Sequence, residues 1–431
     1  MRAKGRALAD SNYNAGKGCY VEFLKVDSVD GAREKLLANA VGWMGAVESL
    51  PFDAVCGRIA AEDICTPGDI PSFRRSTVDG YAVIAADTAA AGESIPVFLN
   101  VTGCIEMGLP ADSTVRRGEC VEIPTGGMMP DGADAVVMVE YAEPFGEKGV
   151  ALYDSVANGE NVVQTGEDAK AGDLLLTKGK RILPQDIGAL AAAGVSTVAV
   201  YKMPRLTILS TGDELVSPDT EPAPGQIRDV NTCALTALAK KNGYQVVGWA
   251  VLPDREDLLE DAIRTAMSSS DIVAVSGGSS QGKKDITRTV IDRVSSPGVY
   301  THGMAIKPGK PTILGYDDVS RTLLTGLPGH PVSAMMVFEL LFGWLLREIT
   351  GSKPEPAIPA KISCNVPSSP GKLTCWPTAL EWSVEDGEYI AEPIFGKSGL
   401  ITTLTRASGY FVVDRDTEGL QSGQTVLVQV F

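Results

Sequence analysis

The sequence predicts a multidomain α/β plus β protein: a central α/β domain built on a doubly wound parallel sheet, with β-rich stretches before and after it. Three observations lead there. From about residue 203, short apolar runs alternate with helical segments, the pattern of a parallel sheet covered by helices on both faces. Residues 93–165 instead carry short β-type runs split by Gly, Pro and Asp turns, and such runs resume after the Pro-rich linker 352–359. The 431 residues are also enough for about three separate cores.

In chain order, residues 1–26 open polar and rich in Gly, Ala and Asn; a disordered extension is expected there, and no signal peptide. Ser28 caps a helix with Ala32, Leu36, Leu37 and Ala40 on one face. Short β runs follow at 96–101, 120–123 and 135–139, then a hairpin over 173–182 and a helix over 184–193 that ends at Gly194. In the α/β region, strands are expected over 206–210, 245–252, 271–276, 312–314 and 322–325. Helices are expected over 231–242, with Asn231 as N-cap and Gly243 just past the end, and over 254–268 and 285–294. A long helix over 331–350 is apolar on nearly every face and therefore buried.

The formal net charge of −16 argues against a nucleic-acid partner, because phosphate backbones are held by surplus Lys and Arg. An anionic ligand would need positive charge concentrated locally. The eight cysteines are scattered without a C-x-x-C pair and only two histidines are present, so reduced thiols in a cytoplasmic protein are expected and a zinc site is not. The most apolar stretch, 337–346, is short and holds Glu339; no membrane span is expected.

Local positive charge does occur. Four Gly-rich segments crowd one region, with lysines beside two of them: Ser276-Gly277-Gly278-Ser279, Gln281-Gly282-Lys283-Lys284, Lys307-Pro308-Gly309-Lys310 and Gly326-Leu327-Pro328-Gly329-His330. Glycine lets backbone N–H groups gather round an oxyanion and lysine adds charge. In an open parallel sheet, ligands bind beyond the carboxyl ends of the strands. Thr211-Gly212-Asp213-Glu214, Asp254, Ser276-Gly277-Gly278 and Gly326 to His330 all fall at that edge. Residues 277–283 also fit the P-loop spacing G-x-x-x-x-G-K, but Lys284 stands where Ser or Thr would meet magnesium. Bland accounts compete for the carboxylates: Asp254 and Asp285 each open a helix as N-caps, Asp79 precedes Gly80 in a turn, and Glu214 and Asp168 suit exposed loops.

Taken together, the motifs resemble the MoeA/gephyrin E-domain family of molybdenum insertases. In order they are Ser76 to Ala82 (STVDGYA), Thr125 to Asp134 (TGGMMPDGAD), Gly166-Glu167-Asp168, Ser210 to Leu215 (STGDEL) and Gly225 to Asn231 (GQIRDVN). Then come Ser276 to Asp285 (SGGSSQGKKD), Ile306 to Pro311 (IKPGKP) and Gly326 to Ala334 (GLPGHPVSA). The resemblance covers about residues 25 to 415. It implies an extended N-terminal region at 27–70 and 165–200 and an inserted β-rich domain at 71–164. An α/β molybdopterin-binding domain at 201–351 and a C-terminal β domain at 352–431 would follow. It also implies a homodimer with shared clefts, and insertion of molybdate into adenylylated molybdopterin with Mg2+-dependent hydrolysis and release of AMP. A MogA-like adenylyltransferase would be the pathway partner.

On the matching positions, the resemblance implies that Gly277, Gly278, Ser279 and Asn231 hold the phosphate or pterin portion, and that Glu214 and Asp285 hold Mg2+. Lys307 and Lys310, with Ser333 and Ser398, would receive molybdate, His330 would bind beside them, and Asp254 would orient water or metal. Asp79, Thr125 and Asp168 would enter from the partner chain. Some positions depart from the usual pattern: His330 replaces Asn, Gly303 stands where a lysine is common, Ser279 and Gln281 replace hydrophobic residues, and Arg74 and Arg75 are unusually basic. These departures leave open a tungstate-preferring paralogue; a gephyrin-like scaffold is the alternative from another class.

Overall fold

The computed structural model describes residues 26–40, 44–277 and 286–431. The chain forms two compact units, one comprising Met1–Trp43, Met203–Leu345 and Glu355–Phe431, the other Met44–Lys202 and Leu346–Pro354.

In the first unit, helix α1 (Val29–Ala40) starts where Ser28 Oγ accepts the Gly31 N–H at 3.0 Å. It buries Ala32, Leu36 and Ala40, as its spacing predicts. A six-stranded sheet follows, built from β1 (Arg205–Thr211), β2 (Gln245–Leu252), β3 (Ile272–Ser276), β4 (Pro297–His302), β6 (Ile313–Asp317) and β7 (Thr322–Leu327), in the order β2-β1-β3-β7-β6-β4. Its helices are α2 (Asn231–Asn242), α3 (Glu256–Met267), α4 (Ile286–Val294) and α5 (Pro331–Phe338). The last continues through a wider π-type turn, Glu339–Gly343, into Trp344–Thr350. The apolar strands are buried between helices: Leu209, Val273, Val275 and Leu324 pack with Leu259, Ile263, Val290 and Ile291.

The sheet corrects the all-parallel expectation in one place. Strands β2, β1, β3 and β7 are mutually parallel, whereas β6 runs antiparallel to both β7 and β4. Strand β4 itself was not anticipated. The reversal has a consequence for placement: the residues leading into β6 lie at the same sheet edge as the carboxyl ends of the others.

The remainder of this unit is a small barrel formed by β8 (Ile358–Ile362), β9 (Leu373–Ser383), β10 (Glu388–Pro393), β11 (Gly409–Val413) and β12 (Thr425–Val430). The order β9-β10-β8-β12-β11 closes because β11 also pairs with β9. Ala360, Ile362, Ala391, Phe411, Val413 and Val428 fill its interior. A two-residue strand from the α/β region, β5 (Ile306–Lys307), joins it by pairing parallel with Leu373 and Thr374 of β9.

The second unit holds another six-stranded sheet, ordered Ala135–Met138, Gly80–Val83, Glu119–Ile123, Val97–Cys104, Gly149–Leu152, Ala142–Phe145. Apolar clusters cover both of its faces. Elsewhere in this unit Val47–Pro51 pairs with Thr197–Tyr201 beside the helix Pro184–Ala192. The hairpin expected over 173–182 does not form. Leu174–Leu176 pairs with Ile64–Cys65 instead, and Arg181 bridges Ile59, so both halves of that segment bind an earlier stretch of chain.

Candidate functional site

The carboxyl ends of β1, β3 and β7, the turn between β5 and β6 and two loops of the barrel surround one cleft of about 1150 Å³. That is roomier than the 300–1,000 Å³ of typical small-molecule pockets. Glycine makes the floor. Gly277 has φ +108°, and a Cβ there would lie 2.3 Å from the Thr211 carbonyl oxygen, so no other residue fits.

One polar side chain ties the loops together. Asn231, 8% exposed, donates from Nδ2 to Ser276 Oγ at 2.8 Å and to the Gly329 carbonyl at 2.7 Å, while its Oδ1 is buried without a partner. This corrects its expected role as N-cap. Val230 occupies the cap position, and Asp229 does the capping: its Oδ1 accepts the N–H groups of Asn231 at 3.0 Å and Thr232 at 3.2 Å, and the Ser210 hydroxyl at 3.3 Å. With the helix start satisfied two residues earlier, the Asn231 amide is free to cross the sheet edge.

Carboxylates gather at the ends of β1 and β2. Glu214 folds back over Gly212, where a Cβ would lie 2.8 Å from its Oε2. Asp254 is not a cap either. Its helix begins at Glu256 behind Arg255, and the Asp254 N–H donates to Asp213 Oδ1 at 3.0 Å. Partial burial, then the Asp213 and Glu214 charges, hold the Asp254 carboxyl above the usual aspartate range. The Thr211 hydroxyl opposes that rise without making a hydrogen bond of full geometry.

Cations occupy the rest of the lining: Lys307 and Lys310 from the β5–β6 turn, Lys372 and Lys397 from the barrel. None of these four ammonium groups has a carboxylate within 4.0 Å among the described residues. The Gly303 departure is built in: it has φ +96°, and a Cβ there would lie 2.9 Å from Val26 Cγ1. His330 Nδ1 and Ser398 Oγ are hydrogen-bonded at 2.8 Å, and the Val332 N–H donates to the Ser398 carbonyl at 3.2 Å.

Of the residues singled out from the sequence, Glu214, Asn231, Asp254, Gly277, Lys307, Lys310, His330, Ser333 and Ser398 line this one cleft. Gly278, Ser279 and Asp285, with most of the P-loop-like stretch, lie outside the described residues. Asp79, Thr125 and Asp168 belong to the second unit. There Asp79 Oδ1 accepts the Thr125 N–H at 2.6 Å, and Gly80 is obligatory because a Cβ would sit 2.0 Å from the Val137 oxygen. Asp168 donates its N–H to the Ile70 carbonyl at 3.0 Å. Sequence reasoning placed Thr211 at the sheet edge and Asp229 in a family motif without giving either a role of its own, and missed Lys372 and Lys397. The Gly396-Lys397-Ser398-Gly399 loop repeats the Gly/Lys composition of the others and could have been found by it; nothing in the sequence distinguishes Lys372.

Among the described residues, a glycine-floored sheet edge carries lysines without carboxylate partners and crowded carboxylates beside a β-barrel, a lining whose chemistry suits an anionic ligand of an α/β protein. Family models match in succession: the MoeA N-terminal region (domain I and II) over residues 27–194, a probable molybdopterin binding domain over 207–348, and the MoeA C-terminal region (domain IV) over 359–431. A protein named molybdopterin molybdenumtransferase from Haemophilus influenzae is 32% identical over 409 residues, 94% of this chain and 98% of that one. Another of that name from Bacillus subtilis is 32% identical over 393 residues, 89% and 90% of the two chains. The chain therefore belongs to the MoeA family. The crystal structure of a molybdopterin biosynthesis MoeA protein from Pyrococcus horikoshii superposes with TM-score 0.77 at 35% identity, covering 94% of this chain and 99% of that chain. Among the described residues no helix is long and apolar enough to cross a membrane.

Proposed function

We propose that the chain is a molybdopterin molybdenumtransferase that inserts molybdate into adenylylated molybdopterin and hydrolyses the adenylate, releasing AMP. The observation that carries this reading is the cleft itself, where four lysines unpaired among the described residues and the Glu214 and Asp254 carboxylates share one lining. A dianion about 4 Å from one ammonium, at an effective dielectric of about 20, gains several kcal/mol. That is enough to recruit an oxyanion to a protein of net charge −16.

Lys307 and Lys310, with Ser333 and Ser398, receive the oxyanion. Asn231 holds the Gly277 and Gly329 loops in register beneath the pterin or phosphate portion. Among the described residues no three His, Cys, Asp or Glu are grouped to hold a metal ion; Glu214 would hold Mg2+ together with Asp285, beside Asp254, whose carboxyl is raised by partial burial and then by the Asp213 and Glu214 charges that a divalent cation would relieve. When bound, Mg2+ supplies charge neutralisation at the phosphoanhydride. Asp254 orients the attacking water and takes its proton. Asp79, Thr125 and Asp168 act on the cleft of the partner chain in a homodimer, and a MogA-like adenylyltransferase supplies the adenylylated substrate.

The test mixes purified protein with adenylylated molybdopterin, molybdate and Mg2+ and follows AMP. Lys307→Ala is expected to weaken the molybdate dependence, and Asp285→Ala to abolish AMP release. Wild-type turnover by both variants would refute the assignment. Repeating the assay with tungstate decides between the two oxyanions.

A further inference from the structure

The walls of the cleft carry ammonium groups, but its floor offers lone pairs. Among the described residues six buried side-chain polar atoms lack a hydrogen-bond partner, and two of them, Thr211 Oγ1 and Asn231 Oδ1, belong to residues that line this cleft. Both residues are more than nine-tenths buried, at 6% and 8% exposed. The Asn231 amide cannot relieve its oxygen by turning over. Its Nδ2 donates to the Gly329 carbonyl at 2.7 Å, an atom that only accepts, so Oδ1 is the lone-pair end. The two residues meet around Gly277. A Cβ there would lie 3.0 Å from Thr211 Oγ1, while Asn231 bonds Ser276, next to it in sequence, and Gly329, whose own added Cβ would lie 3.6 Å from Gly277 Cα. The glycine N–H groups do not balance these oxygens: Gly277 donates to the Leu327 carbonyl at 3.4 Å and Gly212 to the Leu252 carbonyl at 3.1 Å. Glu214, folded over Gly212, and Asp254, beside the Thr211 hydroxyl, add further acceptors.

A buried oxygen without a partner costs stability, and what relieves it has to donate a hydrogen. A molybdate or phosphate dianion would meet Asn231 Oδ1 lone pair to lone pair. We propose that the floor formed by Thr211, Asn231 and Gly277 binds an uncharged N–H or O–H donor group of the substrate, while the lysine walls take its oxyanions. Thr211 and Asn231 are then specificity residues for the organic part of the ligand, which deepens the transferase reading and rests on it. An adenylylated pterin carries two groups of this chemistry, the amino edge of the pterin ring and the hydroxyls of the ribose. Gly277 suits either, because no side chain there holds a flat ring or a sugar away from the two oxygens. The competing occupant is a single ordered water, which could serve the same atoms.

The experiment is isothermal titration into the full-length protein with Mg2+ present, using 6-hydroxymethylpterin, AMP, 2′,3′-dideoxy-AMP and molybdate as probes. Thr211→Val keeps the shape and removes the hydroxyl. It should melt at or above the wild-type temperature, because a buried atom without a partner is gone. It should nevertheless bind one donor probe about five- to tenfold more weakly, with molybdate affinity unchanged. Thr211→Ser should keep the wild-type affinity. A loss confined to the pterin identifies the amino edge; a loss for AMP but not for the dideoxy nucleotide identifies the ribose. Asn231→Leu should lose the same probe, and Asn231→Asp, which keeps an acceptor, should bind it more tightly than Asn231→Leu does. Pterin and AMP affinities that stay at wild type in both Thr211→Val and Asn231→Leu mean an ordered water only, and overturn the inference while leaving the oxyanion cleft standing. An equal loss of molybdate affinity makes the floor an anion cradle and overturns it as well. Wild-type protein that binds none of the probes overturns the transferase reading itself.

Discussion

Replacing Asn231 with alanine tests whether the sheet edge is held as the geometry indicates. The substitution deletes two hydrogen bonds, to Ser276 Oγ at 2.8 Å and to the Gly329 carbonyl at 2.7 Å. Each contributes about 1 kcal/mol net, and Ser276, 1% exposed, loses a partner that water cannot easily replace, which adds about another 1 kcal/mol. The native Oδ1 makes no bond, so nothing is lost on that side. The sum is about 3 kcal/mol, or a fall in melting temperature of about 6 to 12 °C for a unit of this size. Calorimetric melting of Asn231→Ala beside wild type measures it, with AMP release as a second readout, since the Gly277 and Gly329 loops lose their common tie. A melting temperature within about 1 °C of wild type would refute the reasoning.

Asn231→Asp separates donor from acceptor. A carboxylate keeps the shape but cannot donate to the Gly329 carbonyl, and burial disfavours its charge. Its folded-state carboxyl is therefore raised. The stability it contributes is present below the ordinary aspartate value of about 3.9 and is lost as pH rises through the raised folded value. This variant should be further below wild type at pH 8 than at pH 5; equal deficits at the two pH values would point to shape rather than donation.

Asp317, 6% exposed, accepts the N–H groups of Ser296 at 3.1 Å and Ser320 at 2.8 Å and the Ser320 hydroxyl at 2.7 Å. Burial works to raise its carboxyl and the donors outweigh it, leaving it below the usual range. Asp317→Asn should cost about 1–3 kcal/mol by urea unfolding at pH 7. The contribution is present above the unfolded aspartate value and lost as pH falls through the lowered folded one, so a deficit that stays constant into acid would contradict it. Mg2+ should raise the melting temperature of wild type but not of Glu214→Gln; an equal shift in both places the metal elsewhere. If clefts are shared across a dimer, Asp79→Ala and Asp285→Ala chains, inactive alone, should recover about a quarter of wild-type AMP release after random subunit mixing, since half the dimers are mixed and each has one intact cleft. No recovery argues for clefts built within one chain.

Where local chemistry decides, the sequence was sufficient. Helix α2 has the expected bounds because Gly243, at φ +92°, ends it and a capping side chain begins it. Which side chain does the capping was not legible: Asp229 and Asn231 are both good caps, and only the distant Ser276 and Gly329 favour releasing the asparagine. Strand direction was equally hidden. The apolar run of β6 reads the same in either direction, and its reversal depends on the pairing with β4, whose Pro297-Gly298 start masked it as a strand. Asp254 shows the same limit. A carboxylate before a helix looks like a cap, and only the neighbouring Asp213 and Glu214 reveal the crowding. Lys372 and Lys397 joined the cleft through barrel closure and the β5–β9 pairing, contacts that no local pattern encodes.

The separation of charge within the cleft follows from that topology. Glu214 and Asp254 stand just beyond the carboxyl ends of parallel neighbours, β1 and β2. Lys307 and Lys310 arrive on a turn that only the antiparallel β6 brings to the same edge, and Lys372 and Lys397 arrive on another β structure altogether. Carboxylates and ammonium groups on one helix at i,i+4 spacing would pair with each other, as Glu260 and Arg264 do at 3.0 Å. Drawn from different elements, the four lysines remain unpaired among the described residues and the carboxylates crowd one another. Both arrangements cost stability in the absence of ligand, and a ligand that is anionic at one end and metal-bound at the other relieves both at once. A fold that needed only stability would have paired these charges.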